Sequence, residues 1–200
     1  MREAVKALTR GVALLAVLPR IVLFQFWSRL IGPNRAIEGA TQSLARIPGL
    51  RGQYLRRAFL EHALSECHAT AAICWGTTFS KAGAIVEENV YIGPGCLIGL
   101  AHLEPNVLLA SGVHIPSGSQ THGTDDLSTP IRDQPGTITM VTIGRGTWVG
   151  SGAIIMADVG RDCVIAAGAV VTRPVPDRSI AGGVPARVIR SRDTSPSLAV

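Results

Sequence analysis

From Ile73 onward the aliphatic residues of this chain recur about every six positions: Ile73, Phe79, Ile85 or Val86, Ile92, Ile98, Leu103, Leu109 and Ile115. After a gap the series resumes at Ile143, Val149, Ile155, Ile165 and Val171. A small residue commonly follows each one, as at Gly93, Gly99, Ala110, Gly144, Gly150 and Ala166, and a compact one commonly stands two positions before, as at Val90, Cys96, Val107, Val113, Cys163 and Ala169. Ordinary amphipathic strands alternate with period two and do not hold a six-residue register over a hundred residues. A triangular prism does. Each turn has three flat walls, each wall is a short parallel strand ending in a sharp corner, and about six residues per wall put the aliphatic inside and the small residue at the bend. Coils of this kind bury only their neighbours, so several are needed. The pattern predicts an all-β parallel β-helix over residues 67–192.

Two stretches leave the register. Residues 116–140 carry no repeat and are rich in Pro, Gly, Ser, Thr and Asp, so they form an excursion loop, and long loops in compact domains are usually functional or disordered. At Met156–Gly160 the interval from Ile155 to Ile165 is ten residues where two repeats need twelve, which predicts a shortened corner around Asp158. Residues 193–200 read as a flexible tail.

Ahead of the repeats the period is different. Gly11–Leu18 is continuously apolar, Pro19-Arg20 interrupts it, and Ile21–Trp27 is apolar again except for Gln25. Each half is shorter than the about 20 residues a bilayer requires, and together they put Arg20 near the midplane, which is costly. No convincing small-residue cleavage site follows them, which argues against a secretory signal. With Arg2, Lys6, Arg10, Arg20 and Arg29 around them and Phe24, Phe26 and Trp27 close by, residues 1–35 read as a segment that contacts an anionic membrane surface. The competing reading is a helix or helical pair packed on the main domain or between subunits. Gly32-Pro33-Asn34 ends this segment, and helices follow over 36–46 and 51–64, separated by Ile47-Pro48-Gly49. Residues 1–66 thus form a helical, hydrophobic and basic extension.

Charge sharpens this division. The net +5 comes from residues 1–66, which hold ten Lys/Arg against four Asp/Glu, whereas residues 67–200 hold nine against ten. The repeat domain shows no basic stripe with interleaved aromatics, which excludes a nucleic-acid partner. Aromatics are only 4% of a chain that is 46% hydrophobic, which suits a narrow, repetitive interior. Cys67, Cys74, Cys96 and Cys163 fit neither a zinc knuckle nor a redox pair. The last three fall where small side chains belong inside coils, and all four read as reduced thiols of a cytoplasmic protein.

Three blocks together resemble a known family: Val141-Thr-Ile-Gly-Arg-Gly-Thr-Trp-Val-Gly150, Val164-Ile-Ala-Ala-Gly-Ala-Val-Val-Thr-Arg173, and Ala181-Gly-Gly-Val-Pro-Ala-Arg-Val-Ile-Arg190. They look like the C-terminal half of hexapeptide-repeat O-acetyltransferases, among them the maltose and galactoside enzymes and those of capsule and exopolysaccharide synthesis. The resemblance spans about 73–192 and implies a left-handed β-helix, a homotrimer with the donor groove between neighbouring prisms, acetyl-CoA as co-substrate and no metal. It also implies a sugar or glycan acceptor in polysaccharide biosynthesis. The N-terminal segment is unlike the maltose acetyltransferase helix and similar to the hydrophobic, basic leader of polysaccharide-modifying members. That implies a cytoplasmic protein, peripheral on the inner face of the membrane.

Acyl transfer from a thioester to a hydroxyl needs a base, an oxyanion donor and a groove for the pantetheine arm, and histidine is the natural base near neutral pH. His62 and His68 precede or begin the repeats, His102 lies at a corner, and His114 alternates with inward Val113 and Ile115. His122 lies in the excursion loop, in Ser119-Gln-Thr-His-Gly-Thr-Asp-Asp126, where the resemblance places the general base. His114 is the reserve, and Asp125 or Asp126 are candidates to orient the imidazole. By the same resemblance the backbone N–H of Ser151 faces the oxyanion, beside Gly150. Acetyl-CoA is met by Trp148, Gly150, Ser151, Ala167, Thr172, Arg173, Pro185, Arg187 and Arg190, the arginines at its phosphates.

Three other functions compete. N-acetylation of an amino sugar needs the same parts, and a non-catalytic trimeric scaffold needs none of them. A γ-type carbonic anhydrase shares the prism fold but needs convergent histidines for zinc, and the spacing of His102, His114 and His122 does not resemble that family's closely spaced pair.

Overall fold

The computed structural model describes residues 2–193, with side chains from residue 7 onward. The tail expected at 193–200 lies, from 194, outside the described residues, as do the side chains of Arg2 and Lys6.

Residues 66–183 wind into a left-handed parallel β-helix of about six turns. The first wall stacks Glu66–Cys67, Ile85–Val86, Ala101–Leu103 and Val141–Ile143, continued by single bridges through Val159 and Val175. The second stacks Ala72–Ile73, Tyr91–Ile92, Leu108–Leu109, Trp148–Val149, Val164–Ile165 and Ser179–Gly183. The third stacks Thr78–Phe79, Leu97–Ile98, His114–Ile115, Ile154–Ile155 and Val170–Val171. Every aliphatic of the six-residue series is buried, and at the ambiguous repeat it is Val86, not Ile85, that turns inward. Apart from Ser179–Gly183, the strands of the walls are two or three residues long because each wall ends as soon as its inward side chain is placed. Coils are then tied by rungs such as Trp148 N–H to Cys163 C=O (3.0 Å) and Gly150 N–H to Ile165 C=O (2.8 Å).

The shortened corner is real, and it occurs twice. Val159 takes the inward position four residues after Ile155, and Val175 does so four after Val171. Asp158, folded back by the tight bend, accepts the Thr142 N–H at 2.8 Å and so serves the coil below.

A stack of coils has two raw ends. At the first, helices α1 (Arg2–Ile31), α2 (Pro33–Ala45) and α3 (Gly49–Leu60) form a cap, with α2 and α3 against the first coil and α1 against both of them. Ile37, Leu44, Phe59 and Leu60 continue the apolar core across the boundary. Edge groups with no preceding coil find side chains in its place. The Thr41 hydroxyl stands 3.2 Å from both the N–H and the C=O of Phe79, and Asn34 accepts from Ala82 N–H at 3.1 Å. Buried Arg56 donates to Ile73 C=O (2.9 Å), Leu44 C=O (3.2 Å) and Ile47 C=O (2.7 Å), joining coil, α2 and α3 at one guanidinium. At the far end the antiparallel strand Ala186–Ser191 folds back on Ser179–Gly183.

Two expectations for the extension need correction. Pro19 does not split the apolar segment, because α1 runs unbroken through it for 30 residues. The lost hydrogen bond of an interior proline is offset by a stripe that packs on both sides of it: Ala13 and Val17 before, Ile21 and Phe24 after. The third helix ends at Leu60, not near Leu64. Its last turn tightens as His62 N–H reaches Phe59 C=O (3.1 Å) and Ala63 N–H reaches Leu60 C=O (3.3 Å), which turns the chain into the first wall.

All four cysteines are free. Burial pushes the Cys67 thiol up to about 12 and the Cys96 thiol up to about 11, and raises that of Cys163. Cys74 is only half-buried, at a corner beside Gln53 and not in the interior.

Because Arg56 satisfies three carbonyls at the cap, Arg56→Ala is expected to cost on the order of 3 kcal/mol in chemical unfolding. A loss of only a few tenths would show that the cap does not depend on it.

Candidate active site

The excursion loop leaves the prism between the third wall of the third coil (His114–Ile115) and the first wall of the fourth (Val141–Ile143). Apart from a short 3-10 turn at Ile131–Asp133 it has no regular structure, yet its two limbs are held together. Thr139 N–H reaches Ser117 C=O at 3.0 Å, and Thr137 N–H reaches Gln120 C=O at 2.7 Å. The limbs pass so closely that a Cβ on Gly136 would lie 2.2 Å from Thr121 O, and one on Gly123 would lie 2.6 Å from Pro135 O. Any side chain at either position would push apart the two strands of chain that flank His122.

Gln134, which the sequence reading missed, supplies the clamp. It is the one buried residue between Ser119 and Met140. Its amide donates to Asp126 C=O (2.6 Å) and Thr129 C=O (2.8 Å) and accepts from Asp126 N–H (3.2 Å). No periodicity marks such a residue; a lone amide among Pro, Gly and Asp is its only signature.

His122 is exposed and lines a cavity of about 220 Å³ with Gln120, Thr124, Asp125 and Thr137. The two acids next to it separate. Asp126 turns away: the hydroxyl of Ser128 (2.6 Å), the hydroxyl of Thr129 and the Ser128 N–H (2.8 Å) hold its carboxyl at about 2. Asp125 is the acid that shares the His122 cavity.

Ser151 lies in the same coil, at the corner between second and third walls, and is exposed. Its carbonyl accepts from Gly168 N–H at 2.9 Å, which stacks Ala167 of the next coil beside it. Gly150 is buried, and a Cβ there would lie 2.5 Å from Ala167 N, so the stacking of coils is what requires glycine at this point. Trp148 projects from the outer face of the second wall, 51% exposed, in register between Leu108 and Val164. Pro185, Arg187 and Arg190 lie exposed on the hairpin that extends this wall. Thr172 and Arg173 occupy the opposite edge of the third wall, in the corner that leads to Val175, and are exposed.

The residues therefore form two groups. Ser151 and Ala167 stand at the corner between the second and third walls, with Trp148 and the hairpin arginines on the second wall beside it, while the His122 loop departs from the corner at the other end of the third wall, where Thr172 and Arg173 lie two coils further on. A wall of four or five residues separates them, on the order of 15 Å at about 3.3 Å per residue. The cavity that His122 lines is formed by residues of its own loop, and Ser151 is not among them.

Of the four other histidines, His62 is exposed in the turn that ends α3. His102 on the first wall pairs with Glu87 at 2.5 Å, and His68 pairs with Thr70 at 2.8 Å. His114 projects from the third wall into a cleft of about 250 Å³ between that wall and α2, lined also by Glu38, Gln42, Ser80 and Leu97. His102, His114 and His122 thus lie on a first wall, a third wall and a loop. Among the described residues no group of three or more His, Cys, Asp or Glu is placed to hold a metal ion.

Known proteins bear on this geometry. Residues 140–173 match the family model described as bacterial transferase hexapeptide (six repeats), over the first two of the three blocks. No curated protein matches the chain in sequence. Among solved structures, a maltose O-acetyltransferase from Clostridium difficile 630 superposes with a TM-score of 0.61 at 21% identity, covering 79% of this chain and 87% of its own. A galactoside acetyltransferase in complex with coenzyme A gives 0.53 at 19% identity, covering 80% and 82%. A point mutant of AntD, an N-acyltransferase from Bacillus cereus in complex with an amino-sugar nucleotide and coenzyme A, gives 0.52 at 16%, covering 61% and 70%. These likenesses bear out the fold expected from the repeats.

If Gln134 clamps the loop, Gln134→Ala should raise amide hydrogen exchange across residues 118–139 at least about tenfold and leave the coil amides unchanged. Equal exchange in both proteins would remove it from that role.

Proposed function

We propose that this chain is a CoA-dependent O-acetyltransferase that moves an acetyl group from acetyl-CoA to a sugar hydroxyl of a polysaccharide or glycan precursor. The observation that carries the reading is the fourth coil: one edge presents a clamped loop histidine and the other an outward backbone N–H. That N–H, at Ser151, donates to no backbone carbonyl among the described residues. The same is true of Ser111 and Ala167 at equivalent corners. What distinguishes Ser151 is that it stands in the coil the His122 loop enters.

The chemistry follows from these groups. His122 accepts the proton of the acceptor hydroxyl as its oxygen bonds to the thioester carbon. Ser151 N–H donates to the oxyanion that forms, a contact worth about 3 kcal/mol in acyl-transfer enzymes generally. When the C–S bond breaks, His122 returns the proton to the departing thiolate. Ala167 and the corner glycines leave the edge bare for an extended pantetheine arm. Arg187 and Arg190, and Arg173 from the opposite edge, supply charge for the phosphates, with Thr172 beside Arg173. Trp148 and Pro185 offer apolar faces.

In this reading a second copy closes the site: the His122 loop leaves one end of the third wall and Ser151 stands at the other, so the loop of one prism meets the Ser151 corner of the next. A ring of such heterologous contacts closes as a homotrimer. The cleft between α2 and the third wall opens where the His122 loop departs at Pro116, and its Glu38, Gln42 and Ser80 suit a hydroxylated acceptor. Free thiols and a CoA donor fit a cytoplasmic location.

His122→Ala is expected to abolish turnover while acetyl-CoA binding stays intact, and Arg187→Glu with Arg190→Glu to weaken that binding more than about tenfold. Refolding the two proteins together, assayed at an acetyl-CoA concentration well below the weakened affinity of the arginine variant so that neither turns over alone, then tests the shared site. Mixed trimers should recover about a quarter of wild-type activity, because that share of interfaces joins an intact His122 to an intact donor edge. No recovery in mixed trimers would place both groups in one chain, and turnover by His122→Ala would remove the base.

A further inference from the structure

Among the described residues the outer half of α1 has no packing partner. Its inner stripe, Ala13, Val17, Ile21 and Phe24, packs on α2 and α3, while Leu8, Val12, Leu15, Val22, Phe26 and Leu30 on the other side are more than half exposed. At about 100° per residue these six fall on one face, opposite the buried stripe. Arg29 borders that face on one side and Arg20 lies beyond it on the other, and both are exposed. Alongside, Leu23, Trp27 and Ile31 join Ala36, Gly39 and Ala40 of α2 in an apolar groove of about 450 Å³, with Arg35 at its rim. Over residues 7–45 the only acid is Glu38, against four arginines.

We propose that this face docks in the plane of an anionic lipid bilayer, with α1 sunk to the level of the acyl boundary and Arg20, Arg29 and Arg35 among the headgroup phosphates. An apolar face bordered by cations is what such an interface accepts. Ala7–Ile31 is long and apolar enough to cross a membrane, but crossing would draw the attached α2–α3 cap, with exposed Arg46 and Arg51, into hydrocarbon or strip the inner stripe from it. A second copy is the poorer occupant, because packing this face on its own kind would bring arginines towards arginines without carboxylates to pair them. The docking depends on α1 and α2 alone and stands whatever the prism transfers. It would set the capped end of every prism in a parallel assembly against the same surface, so that the membrane is held by several helices at once.

The test is sedimentation of the full chain with vesicles, either pure phosphatidylcholine or equal parts phosphatidylcholine and phosphatidylglycerol. The wild type should partition at least about tenfold more strongly onto the anionic vesicles at low salt. Leu23→Glu with Phe26→Glu should abolish binding to both, and Arg20→Glu with Arg29→Glu should remove the preference. All four positions are exposed, and the one bond lost between helices is the exposed one from Arg20 to the Ser43 hydroxyl (3.1 Å), so unfolding curves should stay within about 1 kcal/mol of the wild type. A wild type that stays in the supernatant overturns the proposal. So does a Leu23→Glu, Phe26→Glu protein that still binds vesicles but has lost its assembly by light scattering, because the face would then belong to a second copy.

Discussion

Everything in this molecule depends on one constraint: a coil of two-residue strands cannot satisfy its own backbone. Each wall donates to and accepts from the coils above and below it, and each inward aliphatic is covered by its neighbours in the stack. Positions that look like separate choices follow from that dependence. Gly150 is glycine because the next coil lies against it, Asp158 bends back because its corner is short, and Thr41 and Arg56 stand in for a coil that is missing. Corners are the places where the chain is released from the ladder, which is why an outward N–H such as that of Ser151, and the departure of a long loop, both occur there.

The same constraint is why the proposed function divides its chemistry between chains. A prism is rigid and convex, so it has no cleft of its own in which a base and an oxyanion donor can converge. What it has is edges. The loop between Ile115 and Val141 carries a histidine along one edge, and the corner at Ser151 offers a donor along another. Placing prisms side by side turns two edges into a groove. The Gln134 clamp matters in this setting because a loop that reaches across to a neighbour must hold its shape before contact.

The sequence made the prism legible because its signal repeats: an inward aliphatic every sixth residue was enough to place the walls, and a two-residue shortfall was enough to locate the tight corner at Asp158. Pro19 was misleading. Local propensity argues for a break there, and only the packing of residues on both sides of it, which no local rule contains, keeps the helix whole. Phe59 and Ile37 were hydrophobic residues in plausible helices, but nothing in their spacing told that they close the end of a solenoid. His122 could be singled out by its place in a loop, whereas the division of labour between Asp125 and Asp126 depended on which carboxylate Ser128 and Thr129 capture. Gln134 left no pattern to read. Repetitive contacts are written in the sequence many times over and single contacts only once.

The central claim is that the edge carrying Ser151, Ala167, Arg187 and Arg190 is an acyl-CoA site. Calorimetric titration of the purified wild-type protein with acetyl-CoA addresses it most directly. Saturable binding near one molecule per chain is the result this account requires. A folded, assembled protein that takes up no acetyl-CoA would contradict it and leave the prism as a scaffold.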